Sequence, residues 1–263
     1  MIPNLKFKLG RNKSLPDAKR RELKLARYLK PGLELPVPPD SVDYTAKVTQ
    51  PWGMDLNDSL GDCVLAAAAH CEMAWTANGT GLYVPPDADV LSAYEAVGGY
   101  IPGDPSTDQG TDPLSALTYW RDTGISGHKI GAWVQPDPTK QNELMTGLDL
   151  FVCLYLGMQL PDAVLPTTDG PLPQWVVPPG QESSPQWQPD PENGHMVMAC
   201  KYDQSGLYVV TWGQVVLMSW AFAALFCDEA YVILSPDVLN GSGIAPSGFD
   251  LATLRSDLAL VTS

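Results

Sequence analysis

The chain has no apolar run near the roughly 20 residues that a bilayer-spanning helix needs. Charged residues stand near its start, where a secretory leader would carry its apolar segment. Neither a membrane span nor export by a signal peptide is expected. Cysteine is sparse: Cys63, Cys71, Cys153, Cys200 and Cys227 are odd in number, widely spaced and without a CxxC pair. That spacing argues against a zinc or redox site and for reduced thiols, and no metal or organic cofactor is implied. Histidine occurs three times, at His70, His128 and His195. Basic charge is nearly missing after residue 30, where six Lys and Arg face 28 Asp and Glu, a net of −22. So acidic a body repels nucleic acid.

What is present starts with the opposite charge. Residues 1–30 hold ten of the sixteen basic residues (Lys6, Lys8, Arg11, Lys13, Lys19, Arg20, Arg21, Lys24, Arg27, Lys30) against Asp17 and Glu22, a net of +8. Such a segment can fold back onto the acidic body, dock on an acidic neighbour or touch nucleic acid. Ser14, Pro16 and Asp17 form a helix start, and Leu23, Ala26, Tyr28 and Leu29 give part of an apolar face up to Lys30. A solvated amphipathic helix and a docking arm for a protein partner with an acidic surface are even readings. The arm would use Lys6, Lys8, Arg11, Lys19, Arg20, Arg21, Lys24 and Arg27. Nucleic acid comes third, since no recognition motif accompanies the charge. The proline-rich connector "KPGLELPVPPDSV" separates arm from body. The expected division is therefore an arm over 1–50 and a domain over 51–263. With 263 residues and 44% hydrophobic content, that body can bury a full core as one domain or two packed lobes.

Strong helix formers over 62–77 ("DCVLAAAAHCEMAWTA"), stopped by "NGTG", predict a helix. A second is expected over 87–97 with Asp87 as its cap, and a third within "TDPLSALTYWRDTG", with proline in its first turn and Gly124 at its end. Past Gly127 the texture changes. "HKIGAWVQ", "VCLYLGMQL", "HMVMACKYD", "GLYVVTWG" and "EAYVILS" read as strands, "TKQNELMTGLDLF" and 220–226 as helices, and 251–258 as a short C-terminal helix. A helical lobe over about 51–125, a β-rich lobe over about 126–240 and a C-terminal helix over about 249–259 follow. Residues 161–193 hold nine prolines together with Trp175 and Trp187. This is a long loop, either a surface insertion held down by its tryptophans or a flap facing a substrate or partner.

Cys63 stands at the start of the first helix, where the dipole and free amides lower a thiol's pKa. A nucleophilic thiol also needs a base and a donor for the oxyanion. His70 lies about 10.5 Å further along the same helix and is expected to be a packed or capped helix residue. His128 opens a strand with no partner suggested by spacing, which favours a structural role. His195 follows Asn193 and Gly194, begins an alternating strand and precedes a turn and a second strand ending in "TWG", a hairpin able to hold an imidazole over a helix terminus. Taken alone, Cys63 within "LGDCVLAAAA" reads equally as a small buried side chain. Asp62 beside it either opposes the thiolate or caps the helix.

A helix-initiating cysteine, a later "GH" opening a strand and a following strand ending in Trp-Gly together resemble the papain-like cysteine peptidase superfamily, over about residues 50–235. The resemblance implies an α+β papain-like fold and cleavage of peptide or amide bonds. Cys63 would be the nucleophile and His195 the base, with Asn57, six residues before the cysteine, and the Cys63 amide as oxyanion donors. Gly61 matches the glycine two before the cysteine. The asparagine that orients the histidine is not matched. A strict register puts Val210 there, and Thr211 is the neighbouring side chain able to hydrogen-bond in its place. The whole chain, including "NDSLGDC", "GHKIGAW", "VTWG" and "CDEAYVILSPD", also resembles a group of bacteriophage and prophage proteins. That implies a location in the virion or the host cytoplasm, a peptide substrate if the site is active, and an alternative: a non-catalytic virion or accessory protein that keeps the fold and docks on neighbouring subunits.

Overall fold

A computed structural model describes residues 5–14, 37–168, 170–239 and 245–247. The helix expected over 14–30, with Lys19, Arg20, Arg21, Lys24 and Arg27, and the C-terminal helix expected over 249–259 lie outside the described residues.

The first helix, α1 (Cys63–Asn78), is the centre of the molecule and is buried at nearly every position. A sequence apolar on all sides does not specify one wet face, so such a helix is stable only when covered all round. The structure provides that cover: α2 (Asp87–Gly98) and α3 (Pro113–Asp122) on one side, and the sheet on the other. Asp112 caps α3 by accepting from the Ser115 amide at 3.0 Å, with Pro113 in the first turn. The other two expected caps are not made. Asp87 is the first residue of α2 rather than its cap, where its charge still suits the helix dipole. Asp62 precedes α1 but its side chain makes no capping bond.

The antiparallel sheet has the order β2-β7-β3-β4-β5-β6, formed by β2 (Ala132–Val134), β3 (Leu154–Gln159), β4 (Gly194–Asp203), β5 (Gly206–Thr211), β6 (Gln214–Ser219) and β7 (Cys227–Leu234). Two-residue β1 (Val42–Asp43) pairs with β4. Helices α4 (Gln141–Phe151) and α5 (Trp220–Phe226) lie between strands in the chain. α1 packs on β4, and the Tyr155 hydroxyl of β3 donates to the Val64 carbonyl of α1 at 2.5 Å. His128 does not open a strand. It closes a turn with Ile125, and β2 begins at Ala132. The strand expected to end in "TWG" stops at Thr211, which pairs with Gln214. Trp212 and Gly213 then form a two-residue hairpin turn, with φ of 45° and 70°. Both turn positions are left-handed, as the tight hairpin turn that fits strand twist requires. Glycine adopts this freely, but tryptophan does so under strain. Strand β6 follows, a strand that the sequence reading did not anticipate.

Among its described residues the proline-rich stretch contains no strand or α-helix, and its helical turns at 162–164, 185–187 and 191–193 are single 3-10 turns. Trp175 pins it. Its amide and carbonyl bond Leu217 and Ser219, and its ring stacks on Phe222 at 5.5 Å.

Candidate active site

Cys63 is the first residue of α1 and His195 the second of β4. Packing of α1 on β4 brings them into one place. The backbone amide of Met196, the residue after His195, is directed at the Cys63 sulfur. His195 is 1% exposed. Its Nε2 stands 2.7 Å from Thr211 Oγ1, its ring stacks on Trp212 at 4.2 Å and 15°, and its Nδ1 has no partner. With Nε2–H donating to Thr211, Nδ1 keeps its lone pair. The strained turn at Trp212 therefore places a flat cover over the imidazole. Val210, by contrast, is buried and pairs with Met198 and Val215. Neighbours along a strand face opposite sides, so Thr211 holds the imidazole.

Asn57 is buried, but its Nδ2 donates to the Leu60 carbonyl at 3.0 Å and its amide faces Asp62. It holds the 57–62 loop rather than projecting toward an oxyanion. The Asp62 carboxyl is completely buried, and burial pushes its pKa well up, so it is held as the neutral acid. Gly61 is fixed by Asp108 Oδ1 at 2.9 Å, which also accepts from the Tyr94 hydroxyl at 2.6 Å. The Leu65 and Ala66 amides donate to the Asp62 carbonyl at 2.7 and 3.0 Å, which leaves the Cys63 and Val64 amides of the first turn of α1 without an intrahelical acceptor. His70 and His128 lie elsewhere. His70 Nε2 contacts Asp55 at 2.9 Å, and His128 Nδ1 contacts Asp237 at 3.0 Å. No group of His, Cys, Asp and Glu able to hold a metal ion occurs among the described residues.

The site is covered by the chain's own N-terminal segment. Residues 5–14 run extended along it, with Leu5, Phe7 and Leu9 facing the body and Lys6 and Lys8 exposed. The Lys8 amide donates to the Asn57 carbonyl at 3.1 Å, and the Trp212 indole donates to the Lys8 carbonyl at 3.0 Å. Gly10 lies beside Cys63, where its amide helps to lower the thiol's pKa while donating to the Gly194 carbonyl at 3.3 Å. Only glycine fits, since a Cβ on Gly10 would lie 1.8 Å from the Gly61 carbonyl oxygen. The Gly10 carbonyl instead accepts from the Thr111 amide at 2.9 Å, the Asn12 amide donates to the Thr111 carbonyl at 2.9 Å, and the Arg11 amide donates to the Gly194 carbonyl at 3.1 Å. The segment covers the thiol, which is 1% exposed, with the Lys8 and Gly10 carbonyls engaged by Trp212 and Thr111.

Arg11 anchors this plug. Its guanidinium, 5% exposed with the rest of the residue, meets Glu229 Oε1 at 2.8 Å, Asp228 Oδ1 at 2.8 Å and the Met158 carbonyl at 3.1 Å. Removing one partner of so buried a pair costs about 3–5 kcal/mol, because the other charge is left unpaired. Of the eight basic residues assigned to a docking arm, Lys6, Lys8 and Arg11 are described, and Arg11 binds the chain's own body.

Electrostatics follow from this cover. Burial pushes the Cys63 thiol up to about 12, against the lowering expected from a helix terminus, with Asp62 adding to the rise and the Arg11 charge opposing it. Burial, then the nearby Arg11 charge, pushes His195 down to about 3. Both groups are neutral here, and the unpartnered Nδ1 shows that no hydrogen bond joins the imidazole to the sulfur.

The fold is similar to that of xylellain, a cysteine protease from Xylella fastidiosa, with a TM-score of 0.61 and 13% identity over 88% of this chain and 97% of that one. A cysteine protease of Carica candamarcensis gives a TM-score of 0.52 and 13% identity over 74% of this chain and 98% of that one. A procathepsin B of Trypanosoma congolense gives 0.55 and 11% over 86% of each. These likenesses establish a papain-like α+β fold. No family model and no curated protein matches the chain.

Proposed function

We propose that the protein is a papain-like cysteine hydrolase of peptide or amide bonds, kept latent by its N-terminal segment. The observation that carries this reading is His195 itself. One nitrogen is fixed on Thr211, the other is bare, and the ring is covered by Trp212 beside the cysteine that opens the central helix. When residues 5–14 leave, water reaches Cys63 and its pKa falls toward the range favoured at a helix N-terminus. His195 Nδ1 takes the thiol proton, and the thiolate adds to the substrate carbonyl carbon. The oxyanion is held by the Cys63 amide, joined by Asn57 if its side chain turns away from Leu60. The imidazolium then protonates the leaving amine, and water hydrolyses the thioester with His195 as base. The bacteriophage origin, with a location in virion or host cytoplasm, belongs to this proposal through the whole-chain resemblance. A second reading, a non-catalytic virion protein that docks on neighbouring subunits, draws on the Asn57 amide being spent on Leu60 and on threonine standing where the family has asparagine.

Alkylation of Cys63 by iodoacetamide decides between them. It is followed against pH in the full chain, in Arg11→Ala to loosen the plug, and in Arg11→Ala combined with His195→Ala. The hydrolase reading expects slow labelling of the parent chain. In Arg11→Ala it expects labelling well below the roughly 8.5 pKa of a free thiol, and loss of that low-pH reactivity with His195→Ala. Labelling of Arg11→Ala that follows an ordinary thiol pKa and ignores His195 would leave the structural reading.

A further inference from the structure

Seven residues separate Cys63 from His70, so the two lie on one face of α1, about 10.5 Å apart along its axis. The segment that leads to Cys63 passes His70 on its way. His70 Nε2 lies 2.9 Å from Asp55 Oδ2 and 3.4 Å from the Gly53 carbonyl. Both partners accept, so Nε2 carries a proton and donates. The pair is sealed from water: His70 is 2% exposed and Asp55 4%, and the Trp52 ring meets the imidazole edge-on at 5.9 Å. The backbone beside it is under strain. Asp55 and Leu56 stand at φ of 50° and 72°, in the left-handed region, and neither is glycine. Two such residues keep that shape only where their surroundings impose it. The Met54 carbonyl accepts from the Asn57 amide, and the Leu56 carbonyl accepts from the Ser59 and Leu60 amides, each at 2.9 Å. The turn fixed at Asp55 therefore sets the place of Asn57. Gly53 has a second contact. A Cβ on Gly213 would lie 3.0 Å from the Gly53 carbonyl oxygen, so the acceptor that His70 meets is packed on the hairpin turn carrying Trp212.

We infer that His70 is a positioning residue of the proposed hydrolase: through Asp55 it fixes the turn that carries the oxyanion arm Asn57, and through Gly53 it sets that turn against the Trp212 hairpin. This rests on the hydrolase reading above. In the closed chain the plug shares the task, since the Lys8 amide donates to the Asn57 carbonyl. That bond leaves with the plug. The pair of His70 and Asp55 lies beneath the site and stays, so it holds the arm at the moment the oxyanion forms. What separates this role from that of a histidine that merely packs is chemical. Displacement at a saturated carbon develops no oxyanion, whereas acyl transfer does. An imidazole that only fills the core affects both reactions of Cys63 alike, and one that places Asn57 affects acyl transfer alone.

The test uses the full chain with Arg11→Ala to open the plug. Three changes are added to it singly: His70→Phe, which keeps a flat ring and removes the donor; His70→Gln, which returns an N–H at similar reach; and Asp55→Ala, which removes the acceptor from the loop should a change within α1 fail to fold. Two reactions of Cys63 are timed. With iodoacetamide a C–S bond forms and iodide leaves. With N-acetylglycine p-nitrophenyl ester the thiolate adds to the carbonyl carbon, the oxyanion collapses to a thioester, and p-nitrophenolate leaves. His70→Phe and Asp55→Ala should slow p-nitrophenolate release by about tenfold or more while iodoacetamide labelling changes by less than about twofold. His70→Gln should keep most of the ester rate. Equal changes in both rates, or none in either, in a folded variant overturn the positioning role and leave the hydrolase standing. Failure of the hydrolase reading looks different. If the Arg11→Ala chain releases p-nitrophenolate no faster than the same chain with His195→Ala, the hydrolase falls and the role of His70 falls with it.

Discussion

Thr211 Oγ1 lies 2.7 Å from His195 Nε2, in a place where both side chains are out of contact with water. A buried ring nitrogen deprived of its partner keeps its full desolvation cost, about 1–3 kcal/mol. Thr211→Val keeps the shape and removes the hydroxyl, so it is expected to lower stability by about that amount in urea unfolding. Thr211→Ser should lose much less. The hydroxyl also selects the tautomer, and imidazole nitrogen NMR should find the proton on Nε2 in the parent chain. A parent chain with the proton on Nδ1 would mean that His195 has no lone pair to offer the thiol.

Acid should open the plug. His195 is held near 3 under the plug and would return toward about 6.5 when exposed. The open state then binds the proton more tightly, and the closed state weakens by up to about 1.4 kcal/mol per pH unit as pH falls from about 6.5 toward 3. Cys63 supplies the other limb. With its thiol pushed up to about 12 in the closed state, opening is favoured again as pH rises above about 8.5. Hydrogen exchange of the amides of residues 6–12, corrected for intrinsic rate, should be slowest between these limits. Protection that does not vary with pH would show that neither group is linked to the plug.

A separate pH effect belongs to the core. Glu72 is fully buried in α1, and burial, then the negative charge of Asp237, pushes its pKa up to about 9. In the unfolded chain it titrates near 4.3, so its neutral form is compatible with the fold and stability is lost as pH rises from about 4.3 toward 9. Glu72→Gln removes that dependence. The variant should gain on the parent by several kcal/mol at pH 8 and by about 1 kcal/mol at pH 5. An equal change at both pH values would show that Glu72 does not titrate in this range.

The all-round apolar run after Cys63 made the central helix legible, because no amphipathic stripe competes with burial. The His195 hairpin was legible from strand alternation on either side of "DQSG". The plug was not. Its signal, Leu5-Lys6-Phe7-Lys8-Leu9, is a period-two alternation typical of a half-buried extended segment, but it lies inside a charge excess that drew attention to the lysines instead of the residues between them. Asp228 and Glu229 were equally hidden. A strand start with two acids reads as solvated until distant residues, here Gly157 and Arg11, are brought beside it. For the same reason the Cys63 pKa moves against the direction that its place in the sequence implies. A helix terminus is local and lowers the pKa, whereas the cover that raises it comes from residues more than fifty positions away.

Trp212 joins the imidazole to the plug, since its ring stacks on His195 and its indole donates to the Lys8 carbonyl at 3.0 Å. Trp212→Phe separates the two contacts by keeping a flat cover and deleting the donor. One such hydrogen bond is worth about 0.5–1.5 kcal/mol, so the plug should open roughly two- to tenfold more often, and iodoacetamide labelling of Cys63 should accelerate by the same factor if opening limits it. The indole also occupies a left-handed backbone position that strains any side chain, and phenylalanine does not relieve that. A gain in labelling then reports the lost donor together with the smaller ring's contact with Phe7, which lies 6.0 Å from the indole. Trp212→Gly would relax the turn but uncover the imidazole, and so should raise labelling further while weakening its dependence on His195. Identical labelling of Trp212→Phe and the parent would place the latch elsewhere, on the Arg11 ion pairs and the backbone bonds to Asn57, Thr111 and Gly194.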